Sequence, residues 1–232
     1  MIVPDGHTDP EKLRQLLAAV EETHLDFKAS LNFENKKDVL EFVKDVVAMA
    51  NRPPGGYIVI GVDDDGHPCI PAGSLDKPEQ FDGANLNQQV RRFIDGETHV
   101  VSQIHRTEEH DYVLVWIPHH RDGLPVPMKV TGQYRDEKGK DRLVFREGDI
   151  LVREGAANVP LRHAHWREIL RDHDELIRAE AEKIAQGMLR TFLEERAKAT
   201  STRAPTPLLI DMDNDTFAAA VIEHLESGSG YP

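Results

Sequence analysis

Residues 51 to 66 read Asn-Arg-Pro-Pro-Gly-Gly-Tyr-Ile-Val-Ile-Gly-Val-Asp-Asp-Asp-Gly, and no other stretch restricts the fold as strongly. The adjacent prolines lack amide donors and push the preceding backbone out of the helical region, so a helix arriving from the N-terminal side must stop near Asn51. The Gly55-Gly56 pair permits a tight reversal. Tyr57 to Val62 is then apolar almost throughout, with no polar alternation, which is the pattern of a central strand covered on both faces. Asp63-Asp64-Asp65-Gly66 ends that strand in a turn. The chain therefore needs at least two layers packed on one inner strand.

The arriving helix is equally legible. Asn35 is placed to cap it, and Val39, Phe42, Val43, Val46 and Ala50 form one apolar stripe. Before it, Thr8 and Glu11 have capping-box spacing, and Leu13, Leu16, Leu17 and Val20 predict a helix to about Glu22. Residues 23 to 28 alternate as a strand, with Leu25 and Phe27 on one face and His24, Asp26 and Lys28 on the other. Phe81 to Ile94 predicts a third helix, and residues 99 to 106 and 111 to 117 predict a hairpin. Further strands are expected near 126 to 131, 142 to 146 and 149 to 153. Strands outnumber helices and mostly neighbour one another, so the expected class is α+β, a mixed and largely antiparallel sheet with helices packed on it.

From Leu161 to Ala199 the pattern changes to a long charged helix. Trp166, Ile169, Leu170, Leu176, Ile177, Ile184, Met188, Phe192 and Leu193 recur on it at spacings of three and four. Such a stripe either folds back on its own sheet or meets a partner helix, in a homodimer or larger assembly. The resulting division is a domain over 1 to 160, a helix over 161 to 199, and a linker with a short tail over 200 to 232.

No basic n-region with an apolar follow-on opens the chain and no run of about eighteen apolar residues occurs, so a cytoplasmic protein without a membrane span is expected. The single cysteine, Cys69, rules out an intramolecular disulfide and a multi-cysteine zinc site, and reads as a small, at least half-buried hydrophobe. A formal charge of -13 repels polyanions at long range, which confines any grip on nucleic acid to a local basic face. No G-x-x-x-x-G-K-[ST] run is present, so a P-loop is excluded. Nucleotide binding through Gly55-Gly56 ranks last, because no phosphate-binding lysine accompanies it. His119, His120, His163 and His165 have no acidic or cysteine partners at metal-ligand spacing and are expected at the surface.

The acidic residues carry more information. Glu21 or Glu22 before the first strand, Asp26 on it, and Asp63 to Asp65 at the end of the second converge only if those two strands are neighbours. Carboxylates brought together away from water either raise their pKa values or hold a divalent cation. The alternative is a solvated helix end and an Asp-rich turn, and spacing alone leaves both open.

Three blocks resemble the Schlafen AlbA_2 domain family. Glu21-Glu22-Thr23-His24-Leu25-Asp26-Phe27-Lys28 is similar to its E-x-x-x-x-E-F-K block, with Asp26 where Glu is usual. Ala48 to Gly66 is similar to its A-F-A-N-T-x-G-G-x-x-x-I-G-V-D-D block, with one extra residue in the Arg52-Pro53-Pro54 loop. Ile150 to Gly155 is similar to its strand ending in R-x-G. The resemblance implies an α+β fold and, from family members that cut tRNA and rRNA, a metal-dependent endoribonuclease acting on structured, tRNA-like RNA in defence or stress. It implies Glu21, Asp26 and Asp64 as ligands of Mg²⁺ or Mn²⁺, with Glu22 and Asp63 as alternates, Lys28 beside them, and His24 as a possible acid. Lys36, Lys37, Arg135, Lys138, Lys140, Arg142 and Arg153 are expected to hold RNA, or else form a solvated face. A noncatalytic nucleic-acid-binding or regulatory subunit, docking a protein partner, is the other function expected of the same domain.

Overall fold

The computed structural model describes residues 2–201, with side chains described to residue 195. In chain order the elements are α1 (Pro10–Leu17), β1 (Leu25–Lys28), α2 (Lys36–Ala50), β2 (Gly55–Ile60), α3 (Gly83–Arg91), β3 (Val101–Arg106), β4 (Asp111–Pro118), β5 (Gly132–Arg135), β6 (Asp141–Phe145), β7 (Leu151–Glu154), β8 (Ala157–Pro160) and α4 (His163–Ser201). The chain divides into two units, Met1–Arg178 and Ala179–Pro232.

In the first unit, one sheet has the strand order β1-β2-β4-β3, and β5–β6 and β7–β8 form two further antiparallel pairs. β1 runs parallel to β2, with Asp26 opposite Ile58, whereas β2 and β3 both pair antiparallel with β4. This is the expected α+β class, with a mixed, mainly antiparallel sheet and a long C-terminal helix.

β2 is buried at every position, for the reason its composition requires. Tyr57 and Val59 face a cluster containing Leu13 and Leu16 of α1 with Leu25, Phe27 and Leu114. Ile58 and Ile60 face a larger cluster built from Val43, Val46 and Val47 of α2, Leu86 and Val90 of α3, and Val113, Val115, Phe145 and Leu151. Burying these aliphatic side chains supplies about 1.5–3 kcal/mol each before the entropy cost of ordering them. Asn51, at the end of α2, is buried and joins three segments: its amide donates to Val126 O at 3.0 Å and Leu151 O at 2.9 Å, and accepts from Val126 N at 2.7 Å.

Several local expectations are corrected. Asp9, not Thr8, caps α1 by accepting from Lys12 N at 2.9 Å. That helix ends at Leu17, which leaves Val20 off the buried stripe and 80% exposed. Residues 126 to 131 form no strand; Pro125 and Pro127 cannot donate to a ladder, and Met128 N bonds to Asp149 O instead. The strand lies further on, at β5, and β8 escaped sequence reading altogether. His120 and His165 are buried rather than superficial, and Cys69 is exposed rather than packed. The linker and tail are expected over 200 to 232, but α4 continues through Ser201, and residues 202 to 232 lie outside the described residues.

Within the first unit the start of α4 folds back on the sheet layers. Ile169 is buried, Glu168 pairs with Arg52 at 2.9 Å, and His173 Nδ1 lies 2.6 Å from Asp122 O. Leu170, Leu176 and Ile177 stay exposed, as do Ile184, Met188, Leu189, Phe192 and Leu193 of the second unit. No described helix is long and apolar enough to cross a membrane.

The N-terminal segment is tied down by charge. Asp5 pairs with Lys12 at 2.9 Å and accepts from the Tyr57 hydroxyl at 2.7 Å. Burial opposes ionisation of Asp5, but the bonds from Lys12, Tyr57 and the His7 amide outweigh it and lower its pKa from 3.8 to about 2. A depressed carboxyl pKa stabilises the fold above the unfolded value, and that contribution is lost as pH falls from 3.8 towards 2. Asp5→Asn is therefore expected to lose less unfolding free energy than wild type between about pH 5 and about pH 2, as read by urea denaturation.

Candidate functional site

Strand alternation on β1 sends Leu25 and Phe27 to the α1 side and leaves Asp26 and Lys28 facing α2. That face is not solvent, because α2 and the β7–β8 hairpin cover it. Four charges meet there. Arg153 of β7 donates from Nη2 to Asp26 Oδ1 at 2.5 Å. Lys28 Nζ lies 2.7 Å from Asp26 Oδ2 and 2.8 Å from Asp45 Oδ2. Arg153 Nη1 is 3.9 Å from Asp45 Oδ1, which also accepts from the Asn158 amide. Asn158 stands opposite Arg153 in the β7–β8 register.

Asp26, Asp45 and Arg153 are buried and Lys28 is half-buried, so two acids and two bases form a network without net formal charge. Burial alone would lower the Lys28 pKa, but the Asp45 and Asp26 carboxylates hold it well above its ordinary value. Burial pushes the Asp45 carboxyl up, against the pull of Lys28, and the Asp26 charge adds to the rise. The sequence signal for Asp45 was an acid inside an apolar stripe, three residues after Phe42 and four before Met49.

Glu21 and Glu22 have different tasks. Glu21 Oε1 accepts from Phe27 N at 2.6 Å, which holds it along β1. Glu22 Oε1 accepts from Ile2 N at 2.7 Å and ties down the N-terminus. Burial raises the Glu21 pKa; the Phe27 amide opposes this, Asp26 and Asp64 add to it, and Arg153 lowers it. Asp64 is exposed in the turn after β2. Acids from the two segments thus lie within electrostatic reach of one another, as the parallel β1–β2 pairing allows.

Among the described residues, Glu21, Asp26 and Asp64 are not a group whose ligand atoms all lie within 4.8 Å of one another. Both Asp26 oxygens face protein cations, Oδ1 the Arg153 guanidinium at 2.5 Å and Oδ2 the Lys28 ammonium at 2.7 Å. Among the described residues, the group that brings three ligand atoms within 4.8 Å of one another is Asp63, Asp65 and His67. This group is compatible with a divalent cation, although Asp63 Oδ1 already accepts from Asp65 N at 3.0 Å and His67 N at 2.7 Å. Those bonds, that from His67 above all, lower the Asp63 pKa. His24, expected as an acid, has Nδ1 only 2.6 Å from Gly55 O, so that nitrogen is committed to the loop.

The basic residues divide. Lys36 and Lys37 are exposed at the start of α2, and Arg135, Lys138, Lys140 and Arg142 are exposed on the β5–β6 hairpin that packs against α2. Arg142 pairs with Asp136 at 2.8 Å and Arg135 with Asp141 at 3.5 Å. Arg153 is removed from this set, since it is 2% exposed and paired with Asp26. A cation on a strand of an apolar-covered hairpin finds its counterion inside.

Comparison with solved structures finds similarity to the DIP2311 protein from Corynebacterium diphtheriae, with 20% identity and a TM-score of 0.43, over 69% of this chain and 32% of that one. The chain thus spans about a third of that protein's length. No curated protein matches. A family model described as Schlafen, AlbA_2 matches residues 21–162, more than half of the chain and every element from β1 to β8. With the Glu21-to-Lys28 block, the Gly55–Ile60 strand and Arg153 all inside that match, the chain belongs to the Schlafen AlbA_2 family.

Proposed function

We propose that this chain is a nucleic-acid-binding member of its family, in which the buried charge network holds β1, α2 and β7 together and RNA is gripped by the exposed basic face. Family membership supports the nucleic-acid part of this reading. The observation that carries the rest is the engagement of both Asp26 oxygens by Arg153 and Lys28, which commits the central carboxylate to structure. Lys36 and Lys37, with Lys138 and Lys140 on the neighbouring hairpin, offer cations outside the core to phosphates. Because the whole chain is acidic, binding has to be local and salt-sensitive.

The test is a fluorescence-anisotropy titration of a tRNA-like stem-loop over a range of salt concentrations. Lys138→Glu with Lys140→Glu is expected to weaken binding at least about tenfold and to reduce the slope of log affinity against log salt by about 2. Unchanged affinity and slope would remove the hairpin from the binding face.

A second reading, metal-dependent endoribonuclease, is favoured by one observation. Glu21 has its pKa raised by burial and by the charges of Asp26 and Asp64, a strain that a divalent cation would relieve. Cleavage of the stem-loop in Mn²⁺ by wild type, abolished in Glu21→Gln, would select it. Binding without turnover in either Mg²⁺ or Mn²⁺ selects the first. Glu21 is the better probe, because changing Asp26 also breaks the buried network.

A further inference from the structure

The apolar stripe of α4 meets two different environments. Near the start of the helix Ile169 is buried, and Glu168 and His173 reach Arg52 and the Asp122 carbonyl. In the second unit the helix carries Ile184, Met188, Leu189, Phe192 and Leu193, which are 55%, 70%, 59%, 57% and 55% exposed. No described element covers them. Single surface hydrophobes are ordinary on a soluble protein, but five large ones between positions 184 and 193 form a contiguous patch, and such patches mark interaction surfaces.

Helical geometry gives the patch its shape. Successive residues turn by about 100°, so Ile184, Met188, Phe192, Leu189 and Leu193 follow one another round an arc of about 180°. Ala181 and Ala185 fall inside the same arc, with Glu182 at its margin and Glu195 at its end. Lys183, Gln186, Arg190 and Glu194 occupy the other half, where Arg190 and Glu194 pair at 3.0 Å. That half is solvated, and the helix is therefore amphipathic rather than a uniformly charged rod. The apolar half is wider than the seam of about two positions in seven that one partner helix fills.

We infer that this arc is a self-association surface, on which a second copy of the chain packs the same arc of its own α4. Each of the five large side chains keeps on the order of 100 Å² in water, so two copies remove about 1,000 Å² between them, the level a specific interface has to reach. Between Ile184 and Leu193 the centre of the arc presents aliphatic, thioether and aromatic surface, with no charge that would select a partner of different chemistry. A second copy supplies apolar surface of the same length and width, and a symmetric contact uses that one patch on both sides. The width of the arc leaves room for a further helix of the same assembly, so the oligomer contains two copies or more.

The experiment is sedimentation velocity of the full chain across micromolar concentrations, with reductant present so that the exposed Cys69 cannot join copies. Wild type is compared with the double variant Met188→Glu, Phe192→Glu and with Gln186→Glu, which adds a charge on the solvated half of the same helix. All three positions are exposed, so the substitutions leave the buried core of the first unit intact. Wild type is expected to sediment as a dimer or larger species. The double variant is expected to raise the dissociation constant at least about hundredfold, because it brings carboxylates into the centre of the contact, and Gln186→Glu to leave it unchanged. A wild type that stays monomeric at every concentration overturns the inference, and the arc then belongs to another protein or to residues 202 to 232 of the same chain. Association that survives in the double variant, or that Gln186→Glu disrupts equally, overturns it too, since the contact then lies on another face.

Discussion

Arg153→Ala is expected to destabilise the fold by about 3–5 kcal/mol, because it strips a buried carboxylate of its closest cation. Asp26 Oδ1 loses its 2.5 Å contact, and Lys28 alone must then answer two acids, Asp26 and Asp45. The space left by the guanidinium adds to the loss, since Arg153 is among the largest fully buried side chains of the described residues. Urea denaturation measures this directly. Lys28→Met should cost less, because Lys28 is half-buried and water can replace part of what it provides. Equal and small losses in both variants would show that the four charges are not coupled. The same experiment bears on function: a carboxylate whose removal from its cation unfolds the protein is part of the frame, and its substitution says little about chemistry.

Gly55→Ala should be nearly as severe, at least about 3 kcal/mol by the same assay, from a left-handed backbone cost of about 1–2 kcal/mol and the displacement of a packed strand. Gly55 has φ +95°, and a Cβ there would stand 2.2 Å from Ile117 O and 2.9 Å from His119 N. Both are backbone atoms at the end of β4, directly across the ladder, so no rotamer change can make room. Gly66 separates the two causes. It has φ +84°, and among the described residues nothing lies within 4 Å of where a Cβ would stand, so Gly66→Ala should show the conformational cost alone, about 1–2 kcal/mol. The contrast also tests the reading of Gly55-Gly56 as a tight connection into β2, since a phosphate-cradling loop would tolerate the change in the absence of ligand.

Elements whose own pattern demands one environment were legible in the sequence. The stripe of α2 with its Asn35 cap, the unbroken apolar run of β2 and the β3–β4 hairpin all lie close to where periodicity places them. Failures occur where a residue outside the local pattern decides. Val20 continues a helical spacing, but the chain had already left the helix at Leu17. Residues 126 to 131 look extended, yet their backbone bonds go to Asn51, Phe93, Gly148 and Asp149 rather than to a named strand. The candidate site divides in the same way. Alternation along residues 23 to 28 correctly put Asp26 and Lys28 on one face and the hydrophobes on the other, but could not tell whether that face met water.

What the sequence alone determined is therefore the set of parts: which segments are helix or strand, which face of each is apolar, and that acids gather at the ends of two strands. Only the tertiary structure decided that Asp26 meets Arg153 across 127 positions and Asp45 meets Asn158 across 113. The physical reason is that periodicity records the nearest neighbours of a residue along its own element, whereas the partner of a buried charge is set by which elements pack over it. With α2 and β7 in place, a strand face that reads as a solvated acid and base becomes the interior of the protein, and each charge takes its counterion from another layer.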